Sequence, residues 1–204
     1  MFFKKRIQAA ILTGLSLISM VAVAENDFYV APFGSYLKPG GDTKAFDGFG
    51  AGLALGKEIN DYFNVEIRGF WQKYDNNYAC CNSSNISLKG NSELTGGTVD
   101  VQWFLLRDQF SPYVVAAVGG MNTAYKMNGT VIGKSVASSA DATSFIFESG
   151  VGATYAVTDY LSLRSDVRYR LNTLPSNVGG NGVFNDLTVN FGVLVPLNIE
   201  KIYQ

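Results

Sequence analysis

The most informative absence in this 204-residue chain is histidine, of which it has none. Most hydrolytic triads, catalytic zinc sites and proton shuttles use an imidazole, so the commonest routes to catalysis are missing. Cysteine is nearly as scarce, because the only two, Cys80 and Cys81, are adjacent. That count excludes a disulfide scaffold. We expect no catalytic residue, no cofactor and no metal ion.

An excess of positive charge is also absent, since 16 lysines and arginines face 17 acidic residues. Residues 1–24 are predicted to be a cleaved signal peptide, with a basic start, an apolar core and a small-x-small cleavage site ending at Ala24. The mature chain would begin at Glu25 and would keep 13 of the 16 basic residues, because three precede the cleavage site. Nucleic-acid binding needs a basic surface, so we expect no nucleic-acid partner.

No apolar run after residue 24 is long enough for a transmembrane helix. Apolar and polar residues alternate instead, which is the side-chain period of a β-strand. Short turns are predicted near 58–61, 107–112 and 157–160, and long loops rich in Gly, Asn and Ser near 38–46, 75–92, 127–142 and 173–184. The predicted strands are 27–37, 47–57, 62–74, 93–106, 112–126, 143–157, 160–172 and 185–197. This order describes an all-β fold, an up-and-down antiparallel eight-stranded barrel.

Alternation alone does not say which face of the barrel meets water. A soluble lipocalin-like carrier has its apolar face inside, whereas a transmembrane barrel has it outside. Lysine is confined to loops and strand ends, unlike the wall of a soluble barrel. Aromatic residues form two bands, as at the two interfaces of a bilayer. The predicted lipid-interface aromatics are Tyr36, Phe63, Trp71, Trp103, Tyr113, Tyr125, Tyr155, Tyr160 and Tyr169.

Charged residues share the polar face of the predicted strands, four acidic and four basic. An arginine facing lipid at mid-depth would cost roughly 2–4 kcal/mol, and the seventh strand carries three. We therefore expect a transmembrane barrel whose lumen holds a self-neutralising charge network. Its members are Glu66, Arg68, Asp100, Glu148, Arg164, Asp166, Arg168 and Arg170.

The segments "NDFYVAPFGSYL", "GFGAGLALG" and "NFGVLVPL" resemble the OmpA-type eight-stranded barrel of Gram-negative outer membranes. The resemblance implies a barrel over 25–199, followed by a short tail over 200–204, and location in the outer membrane. Its last strand resembles the signal read by the barrel-insertion machinery, although it does not end on an aromatic residue. The peptidoglycan-binding domain of that family is absent, so cell-wall anchoring is not implied.

The pair Cys80–Cys81 lies in the second predicted long loop. Adjacent Cα atoms are about 3.8 Å apart, below the usual disulfide range, so a bond between them would be strained. The hypothesis for this pair is a vicinal disulfide in an oxidising compartment.

Three functions from different classes remain open. The first is a non-enzymatic surface barrel that supports the membrane and presents loops for adhesion or host contact, with lipid, lipopolysaccharide and a surface receptor as partners. The second is a narrow porin-like pore of low conductance, and the third a soluble periplasmic carrier. Glycoside chemistry by Asp100 and Glu148 is disfavoured, because arginines on the same face would keep both carboxyl groups ionised.

Overall fold

The computed structural model of the protein describes residues 28–40, 47–77, 86–131, 134–173 and 183–197. Every strand is antiparallel to its neighbours, and the first pairs with the last, so the sheet closes on itself. Within these ranges no helix is long and apolar enough to cross a membrane. The strands are β1 (Phe28–Pro39), β2 (Gly48–Glu58), β3 (Phe63–Asn77), β4 (Ile86–Phe104), β5 (Phe110–Val131), β6 (Lys134–Thr158), β7 (Leu161–Thr173) and β8 (Val183–Pro196). The predicted eight-stranded antiparallel barrel is confirmed.

The two faces of each strand differ in the way that the alternation predicted. In β7, Leu163, Val167 and Tyr169 are 37–42% exposed on the outer face, while Arg168 and Arg170 are fully buried inside. In β3, β4 and β6 the apolar side chains are likewise exposed outside and the polar ones buried inside, the opposite of a water-soluble protein. The barrel therefore presents an apolar wall and encloses polar side chains, which is the arrangement of a barrel surrounded by lipid.

Strands β4, β5 and β6 are longer than predicted, and this corrects two of the predicted loops. β5 continues to Val131 and β6 begins at Lys134, and these two residues pair, so most of the segment 127–142 is β-ribbon. In the segment 75–92, β3 and β4 continue to the pair Asn77–Lys89. Crossing a bilayer takes only about 9–11 residues of a tilted strand. Beyond that length both faces of a ribbon are free of lipid, so hydrophobic alternation is lost although the ladder of hydrogen bonds continues.

Glycines on the inner face make room for large side chains from the neighbouring strand. Gly150 lies directly opposite Arg168, and Gly56 directly opposite Tyr29. A Cβ atom at either glycine would overlap those neighbours. An eight-stranded barrel is only wide enough to be filled by side chains, and these glycines allow long residues to lie across it.

Candidate functional site in the barrel interior

The structure brings all eight predicted network residues together at the middle of the barrel. They project inward because they occupy the same face of their strands, and each is at most 7% exposed. β7 supplies four of them, at every second position. β3 supplies Glu66 and Arg68, β4 supplies Asp100, and β6 supplies Glu148.

Arg168 is the centre of this charge network. Its Nη1 lies 2.5 Å from Asp100 Oδ2 and 3.4 Å from Glu148 Oε2, and its Nε lies 2.8 Å from Asp166 Oδ1. One guanidinium therefore joins carboxylates from three strands, β4, β6 and β7. Among the described residues no other arginine contacts as many carboxylates.

Toward the short turns, the network is extended by tyrosine hydroxyls. Arg164 Nη1 lies 2.5 Å from Glu66 Oε1, which also accepts a hydrogen bond of 2.7 Å from Tyr29. Tyr113 donates to Asp166 Oδ2 at 2.9 Å and accepts from Arg164 Nε at 3.0 Å. Charge-assisted hydrogen bonds of this kind are about twice as strong as neutral ones.

Toward the long loops, Arg68 and Arg170 share Glu148. Arg170 Nε lies 2.7 Å from Glu148 Oε1, and Arg68 Nη2 lies 3.0 Å from Glu148 Oε2. Arg68 also faces the Phe33 and Phe70 rings, with centroids 5.2 and 5.3 Å from its Cζ. Among the described residues Glu148 is the one carboxylate that either arginine contacts, so a single negative charge serves both of them.

Apolar side chains are also buried inside the barrel, and the predicted charge network did not include them. We call the cluster nearer the long loops the loop-end cluster, which consists of Leu37, Phe70, Leu94, Met121 and Ile146. Two further buried clusters pack beside the charges and toward the short turns, one of Tyr29, Ala31, Ala54 and Leu194 and the other of Phe104, Tyr113 and Val115. The alternation carried this signal, because each residue lies on the inner face of its strand.

Two predicted interface aromatics are wrong in their direction. Tyr113 is 1% exposed and points inward with Val115. Tyr125 is half-buried and lies on the same inner face as Thr123, two residues earlier. The segment "YVVAAVGGM", which begins at Tyr113, is apolar on both sides, so its alternation could not assign a face to that residue. Before Tyr125 the polar residues Asn122 and Thr123 lie on opposite faces, so alternation gave no direction there, and position along the strand was an insufficient guide.

The other seven predicted aromatics point outward or lie at a turn. Trp71 Nε1 donates to Glu93 at 2.5 Å, Tyr36 donates to Asp47, and Tyr169 accepts from Asn185 at 2.5 Å. All three pairs lie toward the long loops. A ring with an apolar body and a hydrogen-bonded polar end suits a membrane interface, and their contact with the interface remains a prediction. The remaining four are Phe63, Trp103, Tyr155 and Tyr160.

Arg107 was also missed, because it was assigned to a turn. Its Nη1 lies 2.9 Å from Glu58 Oε1, its Nε donates to the Asp61 carbonyl at 2.8 Å, and it donates to Asn64 Oδ1. Arg107 thus ties the turn after β4 to the turn after β2. Arg107, Glu58 and Asn64 line an open cup of about 290 Å³ at the short-turn end of the barrel.

Some predicted residues lie outside the described ranges. These are Ala24 and Glu25 at the signal cleavage site, and Cys80 and Cys81. Across the described strands and turns, no group of three or more acidic, cysteine or histidine residues is arranged to hold a metal ion.

Replacing Tyr113 with phenylalanine tests the tyrosine extension of the network. The variant loses hydrogen bonds to two charged groups, so we expect a loss of about 1.5–3 kcal/mol in the free energy of unfolding. Tyr155→Phe is the matched control, because Tyr155 is 45% exposed on the outer wall, and it should change little. Urea titration in lipid vesicles measures both, and equal effects would contradict the inward role of Tyr113.

A comparison with known protein families decides the identity of the fold. The outer membrane protein beta-barrel domain matches residues 8–194. The chain belongs to this family. It is therefore an outer-membrane protein, as the resemblance implied, and its wall faces lipid. No curated protein matches the chain in sequence.

Solved structures of several bacterial outer-membrane proteins are similar to the barrel. Neisserial surface protein A is 21% identical, with 83% of this chain and 97% of that chain covered and a TM-score of 0.47. Ail of Yersinia pestis, solved with the heparin analogue sucrose octasulfate, is 15% identical, with coverages of 83% and 96% and a TM-score of 0.49. The N-terminal barrel of Pseudomonas aeruginosa OprF is 16% identical, with coverages of 84% and 97% and a TM-score of 0.45.

Proposed function

We propose that the protein is a non-enzymatic surface barrel, which supports the outer membrane and presents its long loops for adhesion or host contact. The observation that carries this proposal is the filled lumen. Buried ion pairs occupy the middle of the barrel, and clusters of buried apolar side chains pack against them. Because side chains fill the lumen, the two ends of the barrel, rather than its interior, are the surfaces for function.

The extended ribbon of β4, β5 and β6 supports a role for the long-loop end. These strands contain 19, 22 and 25 residues, about twice the length that crosses a bilayer. They therefore continue past the lipid as a three-stranded sheet, at the end of the barrel where we place the cell exterior. A rigid scaffold carrying polar loops is the usual setting for binding residues.

Catalysis receives no support from the interior. Every carboxylate of the charge network lies within 4 Å of an arginine, so each of them is already engaged in an ion pair. The proposed partners are outer-membrane lipid and lipopolysaccharide around the wall, the barrel-insertion machinery during assembly, and a surface receptor at the loops.

Loop replacement tests this function. Exchanging 127–138, whose two end residues pair with each other, for a two-residue hairpin turn should abolish most binding of expressing cells to host cells while the folded barrel remains in the outer membrane. Replacing the short turn 157–160 with a glycine-containing turn of equal length is the control and should leave binding unchanged. Protease added to intact cells should also cut within the long loops and spare the short turns. Cleavage at the short turns, or full binding after every long loop has been replaced, would contradict the proposal.

A narrow pore is the second candidate. The open cup beside Arg107 supports it. The cup is lined in part by Phe104 and Leu194, and both of these side chains are buried. Steady conductance large enough for sugars in a planar bilayer would favour the pore over the surface barrel.

A further inference from the structure

A small cavity lies between the charge network and the wall, at the seam where β1 meets β8. Its volume is about 10 Å³, close to the smallest space that holds a single water molecule. The polar residues that line it are Arg68, Arg164, Asp166, Arg168 and Asn190. Ala31 and Pro32 of β1 form part of its wall.

Two of these residues have polar atoms that find no partner among the described residues. They are Nε and Nη1 of Arg68 and Oδ1 of Asn190, and the two residues are 2% and 4% exposed. Buried polar groups in proteins nearly always have a partner, either protein or ordered water. The cavity is therefore lined by Arg68, which has N–H donors without an acceptor, and by Asn190, which has an oxygen acceptor without a donor.

The ladder of the seam is interrupted at the same place. β1 and β8 pair at Val30–Val195 and again at Phe33–Gly192, and no pair joins them across Ala31 and Pro32. Proline has no N–H to donate to a ladder. Lipid on the outer side offers no hydrogen bonds in compensation.

We propose that the barrel holds one internal water molecule beneath the β1–β8 seam, which accepts a hydrogen bond from Arg68 and donates one to Asn190. Water fits the chemistry because it both donates and accepts, whereas a halide ion only accepts. It also fits the volume, since the cavity has room for about one water molecule and a larger ion would not fit. The molecule gives a partner to one of the two unpartnered nitrogens of Arg68, whose carboxylate contact among the described residues is Glu148.

A crystal structure of the protein at about 1.8 Å resolution tests the site directly. We expect one density peak within about 2.7–3.2 Å of both Arg68 and Asn190, the range of ordinary hydrogen bonds. An empty cavity would overturn the proposal. So would anomalous signal in the cavity after a bromide soak, because it would identify an anion site.

Two isosteric variants test the polarity of the cavity without relying on density. Ala31→Thr and Ala31→Val both fill the space, but only threonine offers a hydroxyl in place of the water. We expect the threonine variant to unfold at a temperature about 2–4 °C above the valine variant, the shift that corresponds to one hydrogen bond in a chain of this size.

The same pair of changes at Ala54 is the control. Ala54 shares the buried apolar cluster of Ala31 but does not line the cavity, so valine there should be at least as stable as threonine. An Ala31→Val variant as stable as Ala31→Thr would overturn the proposal. A threonine advantage of equal size at Ala54 would also overturn it, because the preference would then be general to the inner wall.

Discussion

Replacing Arg168 with alanine should cost the barrel about 3–5 kcal/mol in the free energy of unfolding, the usual loss when one partner of a buried ion pair is removed. Arg168 is fully buried and contacts Asp100, Asp166 and Glu148. Without it, three carboxylates share a closed space with fewer counter-charges. The loss is measured by urea unfolding in lipid vesicles, or by the lowered temperature at which the folded form disappears on a gel.

A second substitution separates electrostatics from packing. Adding Asp100→Asn to Arg168→Ala removes the carboxylate nearest to the lost guanidinium, so part of the stability should return. Arg107→Ala is the matched control, because Arg107 forms an ion pair at the exposed short-turn end, where such pairs contribute about 0–1 kcal/mol. Equal losses for Arg168 and Arg107, or no recovery in the double variant, would show that water screens the lumen network.

Replacing Phe70 with alanine should cost about 3–5 kcal/mol, the usual range for a buried phenylalanine. Phe70 is 3% exposed within the loop-end cluster, and its ring centroid lies 4.5 Å from Cζ of Arg170. The change removes packing against four apolar neighbours and leaves a cavity above the charges. Phe70→Leu is the control, because it keeps an apolar side chain of similar reach.

The same variants locate the barrier to ions. The loop-end cluster covers the charge network, so Arg168→Ala alone should leave planar-bilayer conductance at the level of the natural chain. Phe70→Ala should raise it, because an apolar constriction opposes the entry of ions. Conductance in Arg168→Ala without conductance in Phe70→Ala would instead make the ion pairs the barrier.

Long, regular alternation made the strands predictable. In β7, four charges at every second position identify both the strand and its buried face, because an unpaired arginine in lipid is too costly to be tolerated. The eight network residues could be named for the same reason. Tyr113 could not be assigned a face, because β5 is apolar on both sides there and carries no charge to mark the inside. Near Tyr125 the polar residues Asn122 and Thr123 lie on opposite faces, so alternation did not mark the inside there either.

The sequence by itself determined the number of strands, their order and which face of most of them meets lipid, since these depend on a local period of two and on the cost of burying charge. Only the tertiary structure decided which carboxylate each arginine contacts, because that depends on the register between strands, such as the pairing of Glu148 with Arg170. It also decided that Leu37, Phe70, Leu94, Met121 and Ile146 meet. They come from five strands, and only the closure of the sheet brings their inner faces to a common level.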